Sequence, residues 1–117
     1  MWSRGEEKAS MFSTITDAKE LERLFELSHT QPVVLFKHST TCPVSAAAYR
    51  EMARFEGDVS LIVVQSARDV SRKVEEQTGV KHESPQAIIL RNGKAVWNAS
   101  HWRVTSDAVE RAVSENL

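Results

Sequence analysis

The chain has 117 residues, with 15 Lys and Arg against 16 Asp and Glu, so its formal net charge is −1 at pH 7. This length suits a single domain, and the balanced charge gives no electrostatic reason to expect a nucleic acid or an anionic membrane as a partner. Hydrophobic residues make up 41% of the chain, and no apolar run exceeds four residues, which argues against a transmembrane helix or a secretory signal.

The first half of the chain alternates between helical and strand-like patterns. Residues 1–13 are polar and are predicted to form a flexible or peripheral segment, and residues 14–117 are predicted to form one domain. A first helix begins near Thr16, a good N-cap, and the β-rich run 33–36 predicts a buried strand. A polar loop over residues 37–41 then leads to a second helix that starts at Pro43, because proline suits the first helical position.

The second half continues the alternation and adds a hairpin. A strand is predicted over 61–64, a helix over 67–78 with Gly79 as its C-terminal residue, and a further strand over 87–90. Asn92-Gly93 is a strong hairpin signal leading into the strand 95–97, and Thr105 begins the last helix. A helix between the first two strands makes them parallel, so we expect an α/β fold with a mixed four-stranded sheet and helices on both faces.

One cysteine, Cys42, carries the most distinctive chemistry of the sequence. It cannot form an internal disulfide or a cysteine zinc site, and a reduced cysteine makes the cytoplasm the default location. It follows a predicted buried strand and opens a helix, where the helix dipole and unpaired N–H groups stabilise a thiolate. The Ser39, Thr40 and Thr41 hydroxyls would donate hydrogen bonds to the sulfur, and Lys37 and His38 would add positive potential. An inert buried cysteine is the alternative interpretation.

The stretch FKHSTTCPVS (36–45) resembles the active-site turn of a thioredoxin-fold protein in which Ser45 stands where a dithiol redoxin has its second cysteine. The run SP (84–85) before an apolar strand resembles the segment that carries the cis-proline of that fold. The segments KHST (37–40), TCPVS (41–45), HESPQ (82–86) and ASHW (99–102) together are similar to the monothiol bacilliredoxins of the bacillithiol system.

This resemblance implies a thioredoxin-like fold and a monothiol thiol–disulfide oxidoreductase. Such a protein removes a low-molecular-weight thiol, here bacillithiol, from S-thiolated proteins and then needs a second thiol or a partner redoxin. No tightly bound cofactor and no metal are expected, and the small thiol is a co-substrate. The implied site comprises the catalytic Cys42, the turn residues Lys37, His38, Thr41, Pro43, Val44 and Ser45, and the substrate-binding residues Ser84, Pro85, His101 and Trp102.

Two other functions stay open at this point. A monothiol glutaredoxin-like carrier would share an iron–sulfur cluster between two subunits, although Pro43 and Val44 stand where that family has a glycine and an aromatic residue. A non-catalytic binding module would need no reactive thiol at all. His38, His82 and His101 are either proton-transfer groups near the thiol or solvated histidines, and the histidine spacing fits no zinc pattern.

Overall fold

The computed structural model of the protein describes residues 11–117. The predicted segment 1–13 therefore lies mostly outside the described residues. The elements follow in chain order as β1 (Met11–Thr14), α1 (Ala18–Leu27), β2 (Val33–His38), α2 (Pro43–Arg54), β3 (Asp58–Val63), α3 (Arg68–Thr78), β4 (Gln86–Arg91), β5 (Lys94–Ser100), a 3-10 turn (His101–Arg103) and α4 (Ser106–Glu115).

A mixed sheet with the strand order β1-β3-β2-β4-β5 forms the centre of the fold. Strands β2 and β3 are parallel, as the crossover helix between them predicts, and β4 is antiparallel to both β2 and β5. The β4–β5 connection is the predicted hairpin. Asn92 and Gly93 both have positive φ angles, 56° and 76°, which is the backbone of a type I′ turn.

The predicted number of strands was wrong by one, because the sheet has five strands. The additional strand, β1, pairs in parallel with β3 from Met11↔Asp58 to Thr14↔Leu61. It spans four residues, of which three are exposed, so it lacks the hydrophobic alternation by which a half-buried strand is recognised.

Helices cover both faces of the sheet, and each face has its own hydrophobic core. Strand residues of even and odd number face opposite sides, as the pleat requires. The core under α2 and α4 includes Val34 and Phe36 of β2, and the core under α1 and α3 includes Val33 and Leu35. All four of these side chains are buried. The α/β expectation with helices on both faces is therefore confirmed.

Local signals at the helix starts explain where the helices begin. Asp17 is the N-cap of α1, with its side chain accepting a hydrogen bond from the Glu20 N–H at 2.9 Å. The predicted N-cap, Thr16, lies one residue earlier and instead donates its N–H to the Glu20 carboxylate at 2.9 Å. The N-cap of α4 is Thr105, as predicted, and it accepts from the Ala108 N–H at 3.2 Å.

Among the described residues, no helix has the length and apolarity needed to cross a membrane.

Candidate active site

Three chain segments meet at one edge of the sheet, which we call the site edge. Strand β2 ends there, and its Lys37 is paired with Gln86, the first residue of the antiparallel β4. Gln86 is in turn paired with Ser100, the last residue of β5. The loop after β2, the segment before β4 and the turn after β5 are therefore neighbours, although they are far apart in sequence.

Cys42 lies in the loop after β2 and is the N-cap residue of α2. Its backbone is extended, its side chain is half-buried, and its carbonyl accepts the first helical hydrogen bond from the Ala46 N–H at 3.0 Å. Pro43 has no N–H, so the N–H groups of Val44 and Ser45 are the orphan donors of this helix start. The cysteine sulfur is thus attached at the positive end of a helix of 12 residues.

The Ser45 hydroxyl connects the loop to His38. It is fully buried, accepts from the Ser39 N–H at 2.9 Å and lies 2.8 Å from His38 Nδ1. Burial lowers the pKa of His38 below its usual value, and the backbone of Ser45 opposes that shift. His38 also packs against the Tyr49 ring of α2, with the ring centroids 4.9 Å apart. Since a neutral imidazole accepts at one nitrogen, the Ser45 hydroxyl donates to Nδ1 and the hydrogen of His38 stands on Nε2.

The segment before β4 contains a cis peptide bond between Ser84 and Pro85. The Pro85 carbonyl accepts from the His101 N–H at 2.9 Å, so this segment is joined directly to the turn after β5. The Gln86 side chain is buried and donates to the Lys81 carbonyl at 2.9 Å and to the Ser100 hydroxyl at 3.3 Å. These bonds hold the Ser84–Pro85 segment in place at the site edge.

The turn after β5 contributes an exposed aromatic side chain. Trp102 is 71% exposed, which is unusual for so large an apolar group. Its neighbour His101 adopts a positive φ of 56° and lies 3.3 Å from the Glu83 carboxylate through Nδ1. The 3-10 turn packs against α2, the helix that Cys42 begins. Trp102 therefore stands in solvent beside the helix that carries the thiol.

Lys37 is the site residue whose position was predicted wrongly from the sequence. It was predicted in a loop, where its charge would act on Cys42, but Lys37 and His38 are the last two residues of β2. Strand alternation sends the Lys37 side chain to the α3 side of the sheet, where it is fully buried and donates to the Ser71 carbonyl at 3.0 Å and to His82 Nδ1 at 3.1 Å. Burial lowers the pKa of Lys37 to about 8, and the Glu75 carboxylate opposes that shift.

His82 is linked to this buried lysine and not to the thiol loop. Its Nδ1 lies 3.1 Å from Lys37 Nζ and 3.1 Å from the Ser71 hydroxyl, and its backbone N–H donates to Glu75 at 3.0 Å. Burial and the nearby Lys37 ammonium lower the pKa of His82. No spacing pattern in the sequence indicates this pair, because residues 37 and 82 meet only through the packing of α3 on the sheet.

Gln65 is a loop-organising residue that sequence reasoning missed. Its carboxamide donates to the Ser39 hydroxyl at 2.9 Å and to the Thr41 hydroxyl at 3.3 Å, and it accepts from the Thr40 N–H at 3.3 Å. Two of the three hydroxyls that were expected to serve the sulfur, those of Ser39 and Thr41, thus accept hydrogen bonds from Gln65. The only available signal is its place just beyond the carboxyl end of β3, where sites of parallel α/β sheets form.

Within residues 11–117, no three His, Cys, Asp or Glu side chains come together as a possible metal site.

The fold and the thiol define the class of protein. A single half-exposed cysteine at the start of the helix after β2, together with a cis-proline before β4, is the arrangement of a thioredoxin-fold redox protein. The chain belongs to the monothiol bacilliredoxin BrxC family, whose sequence profile matches residues 13–109.

Solved structures agree with this class. A protein described as an oxidoreductase with a thioredoxin fold is 34% identical, with a TM-score of 0.81 and coverage of 87% of this chain and 93% of its own. The reduced thioredoxin pre-protein of Schistosoma mansoni is 16% identical, with a TM-score of 0.67 and coverage of 92% and 99%. A thioredoxin of Nicotiana alata is 18% identical, with a TM-score of 0.63 and coverage of 92% and 93%. The thioredoxin likeness shows the fold, and the family supports a redox function.

Proposed function

We propose that the protein is a monothiol thiol–disulfide oxidoreductase that removes bacillithiol from S-thiolated proteins through Cys42. The observation that carries the proposal is the position of Cys42, half-exposed at the N-cap of α2 and on the site edge. The membership of the monothiol bacilliredoxin BrxC family supports bacillithiol as the small thiol.

The first step is an exchange between a thiolate and a disulfide. The Cys42 thiolate attacks the bacillithiol sulfur of the mixed disulfide, so that a Cys42–bacillithiol disulfide forms and the protein–bacillithiol disulfide breaks. The released protein thiolate takes up a proton from solvent. The attacking sulfur is attached at the N-cap of α2, the end of the helix where the dipole is positive.

The second step requires an external thiol, because Ser45 occupies the position three residues after Cys42 and carries no sulfur. The thiolate of a second bacillithiol, or of a partner redoxin, attacks the bacillithiol sulfur on Cys42. A new disulfide forms with the attacking thiol, and Cys42 leaves as thiolate. One disulfide enters the cycle as the protein–bacillithiol mixed disulfide and one leaves it, as bacillithiol disulfide or as the mixed disulfide of the partner redoxin, so Cys42 undergoes no net oxidation.

Other residues of the site edge receive supporting roles in this proposal. The backbone at Ser84 and the adjoining Pro85 would face the substrate protein in an extended pairing, and the exposed Trp102 and His101 would contact it beside the thiol. Burial lowers the pKa of His38 and so favours its neutral form, whose part is to accept the Ser45 hydroxyl hydrogen and fix the loop. We place the reaction in the cytoplasm, where thiols are kept reduced.

A de-thiolation assay tests the proposal. A client protein carrying one bacillithiol mixed disulfide is mixed with reduced protein, and intact masses are followed at neutral pH. We expect bacillithiol to move to Cys42 as a one-to-one adduct, and we expect Cys42→Ser to form none. The same client carrying glutathione measures the preference for the small thiol.

Three results decide between the functions: that of this assay, that of a cellular comparison and that of anaerobic expression. The absence of any adduct on the native protein would contradict the exchange proposal. Equal cellular activity of Cys42→Ser and the native chain would favour a binding module instead. A coloured, cluster-containing protein after anaerobic expression would favour an iron–sulfur carrier.

A further inference from the structure

A cavity lined by charged and polar side chains of α3 adjoins the thiol loop on the α3 side of the sheet. It has a volume of about 320 Å³, and Gln65, Arg68, Ser71, Arg72, Glu75 and His82 contribute to its lining. None of these residues touches the substrate in the exchange steps described above. The exchange steps therefore give these side chains no role.

The positive charge of this cavity comes from two arginines on α3. Arg68 and Arg72 are four residues apart and so lie one above the other on the same helix face. Arg72 has one charged neighbour, Asp69 at 3.4 Å, but both side chains of that pair are largely exposed, so the contact is weak. Two guanidinium groups on one wall suit a carboxylate, which accepts paired hydrogen bonds from arginine.

The one carboxylate in the lining, Glu75, is already engaged. Its Oε2 accepts from the backbone N–H of His82 at 3.0 Å, and its charge faces the buried ammonium of Lys37. These two opposite charges offset each other behind the cavity. The net charge that a ligand meets is therefore that of Arg68 and Arg72.

His82 adds a neutral donor to the cavity. The Lys37 ammonium has no acceptor capacity, so at their 3.1 Å contact it must donate to His82 Nδ1. The ring hydrogen of neutral His82 consequently stands on Nε2. The buried lysine fixes this tautomer, so the lining residue His82 carries an N–H on the ring nitrogen that does not contact Lys37.

The cavity is close enough to Cys42 for one small molecule to reach both. Gln65 lines the cavity and bonds the Thr41 hydroxyl at 3.3 Å. Thr41 is adjacent to Cys42, and neighbouring Cα atoms are about 3.8 Å apart. The span from the sulfur to the cavity rim is therefore on the order of 10 Å, which is the length of a short peptide-like thiol.

We propose that this cavity is a carboxylate-binding subsite for the low-molecular-weight thiol whose sulfur is joined to Cys42, with Arg68, Arg72 and His82 as its donors. The subsite rests on the proposed exchange function. It gives that reaction its specificity for a small thiol that is anionic and carries a carboxylate. Gln65 holds the thiol loop at the cavity rim, so it is a positioning residue for both parts of the ligand.

The test compares an anionic with a neutral disulfide. Reduced protein is mixed with bacillithiol disulfide or with 2-hydroxyethyl disulfide, and the rate of adduct formation on Cys42 is measured by intact mass. We expect the double variant Arg68→Gln/Arg72→Gln to lower the ratio of the anionic to the neutral rate about tenfold. Glutamine keeps a good helix former at both exposed positions, and circular dichroism checks the fold.

A matched control removes the same charge elsewhere. Arg23 and Arg111 are exposed residues of α1 and α4 that do not line the cavity. We expect Arg23→Gln/Arg111→Gln to keep the rate ratio within about twofold of the native ratio, since exposed charges beyond a Debye length of about 10 Å are screened.

The outcomes separate the subsite from the proposed function. If Arg68→Gln/Arg72→Gln forms adducts from both disulfides and keeps the native ratio of the two rates, the subsite is overturned. The exchange function then still stands. An equal fall in both double variants would also overturn the subsite, because net charge would then be the cause. If the native protein forms no adduct with either disulfide, the exchange function itself is overturned.

Discussion

The buried polar groups at the two ends of the sheet differ in how completely they are hydrogen-bonded. At the end with the Asn92–Gly93 turn, the buried Ser28 hydroxyl donates to the Phe25 carbonyl and accepts from the Gly93 N–H at 2.9 Å. The Ser28 carbonyl accepts from the Asn92 N–H at 2.7 Å and from Arg91 at 2.9 Å. Every polar atom of this buried serine side chain and carbonyl is used.

The site edge is less complete. Among the described residues, two buried side-chain oxygens lack a hydrogen-bond partner, Ser84 Oγ and Gln86 Oε1, and both flank the cis-proline. An unpaired buried polar group costs about 1–3 kcal/mol. The described polar groups of Ser28 at the turn end are thus fully paired, whereas the site edge keeps two buried oxygens without a partner.

Removing the thiol should have the largest effect on the transfer rate, and it tests the contrast between the site edge and the turn end. Cys42→Ala should reduce bacillithiol transfer to the uncatalysed background, because the nucleophile is lost. Its free energy of unfolding in urea should change by no more than about 0.5 kcal/mol, since the side chain is small and half-exposed. A loss of stability of several kcal/mol would show that the cysteine is a packing residue.

The opposite pattern is expected at the turn end. Ser28→Ala leaves the Gly93 N–H without its acceptor and should lower the free energy of unfolding by about 1–3 kcal/mol, with the transfer rate unchanged. Thr30→Ala is a matched control, because Thr30 donates a similar hydroxyl bond to the Leu27 carbonyl at 3.0 Å but is exposed. Equal losses from both variants would contradict the importance of burial here.

The buried lysine predicts a specific pH dependence. The native state holds Lys37 with a pKa lowered from 10.5 to about 8, so between these values the unfolded chain binds more protons and stability rises with pH. One such group contributes up to about 1.4 kcal/mol per pH unit. Urea unfolding of native protein and Lys37→Met should therefore differ in slope from pH 8 upward, with the contribution absent in the variant.

If the two proteins give parallel stability curves over that range, the lysine is not desolvated in the native state. Lys73, an exposed lysine of α3, provides the control, since Lys73→Met should leave the slope unchanged.

The smallest expected effect concerns the loop. The Ser45 hydroxyl donates to the neutral imidazole of His38, so Ser45→Ala removes a hydrogen bond that favours the neutral form and should raise the His38 pKa. NMR titration of the imidazole measures it directly. Because a histidine with a lowered pKa resists protonation in the native state, stability should also fall less steeply below pH 6.5 in the variant. A lower His38 pKa in Ser45→Ala would contradict the hydrogen-bond assignment.

Local patterns predicted most of the fold. The Asn92-Gly93 turn, the Thr105 N-cap and the Pro43 helix start each depend on neighbouring residues only, and the structure contains all three. Strand β1 was left out of the predicted sheet, and its segment was predicted only as flexible or peripheral, because its four residues have no buried face. The family was visible in the short segments around Cys42 and Pro85, which lie within the matched residues 13–109.

The neighbourhood of the site was harder to predict. Lys37 and His38 are adjacent in sequence, yet the strand sends them to opposite faces, so their charges cannot be summed at Cys42. Polar side chains such as Gln65 and His82 acquire a role only when α3 packs on the sheet. Such contacts between distant segments leave no periodic signal in one sequence.

The complete burial of Lys37 also makes it an internal reporter. Its amine is 0% exposed, so an amine-acylating reagent in water meets it only when β2 and α3 separate. Exposed lysines such as Lys19 and Lys73 would be labelled without any opening. The time course of mass labelling at Lys37 would therefore count opening events at the site edge, and a small thiol bound across the thiol loop and α3 would slow it.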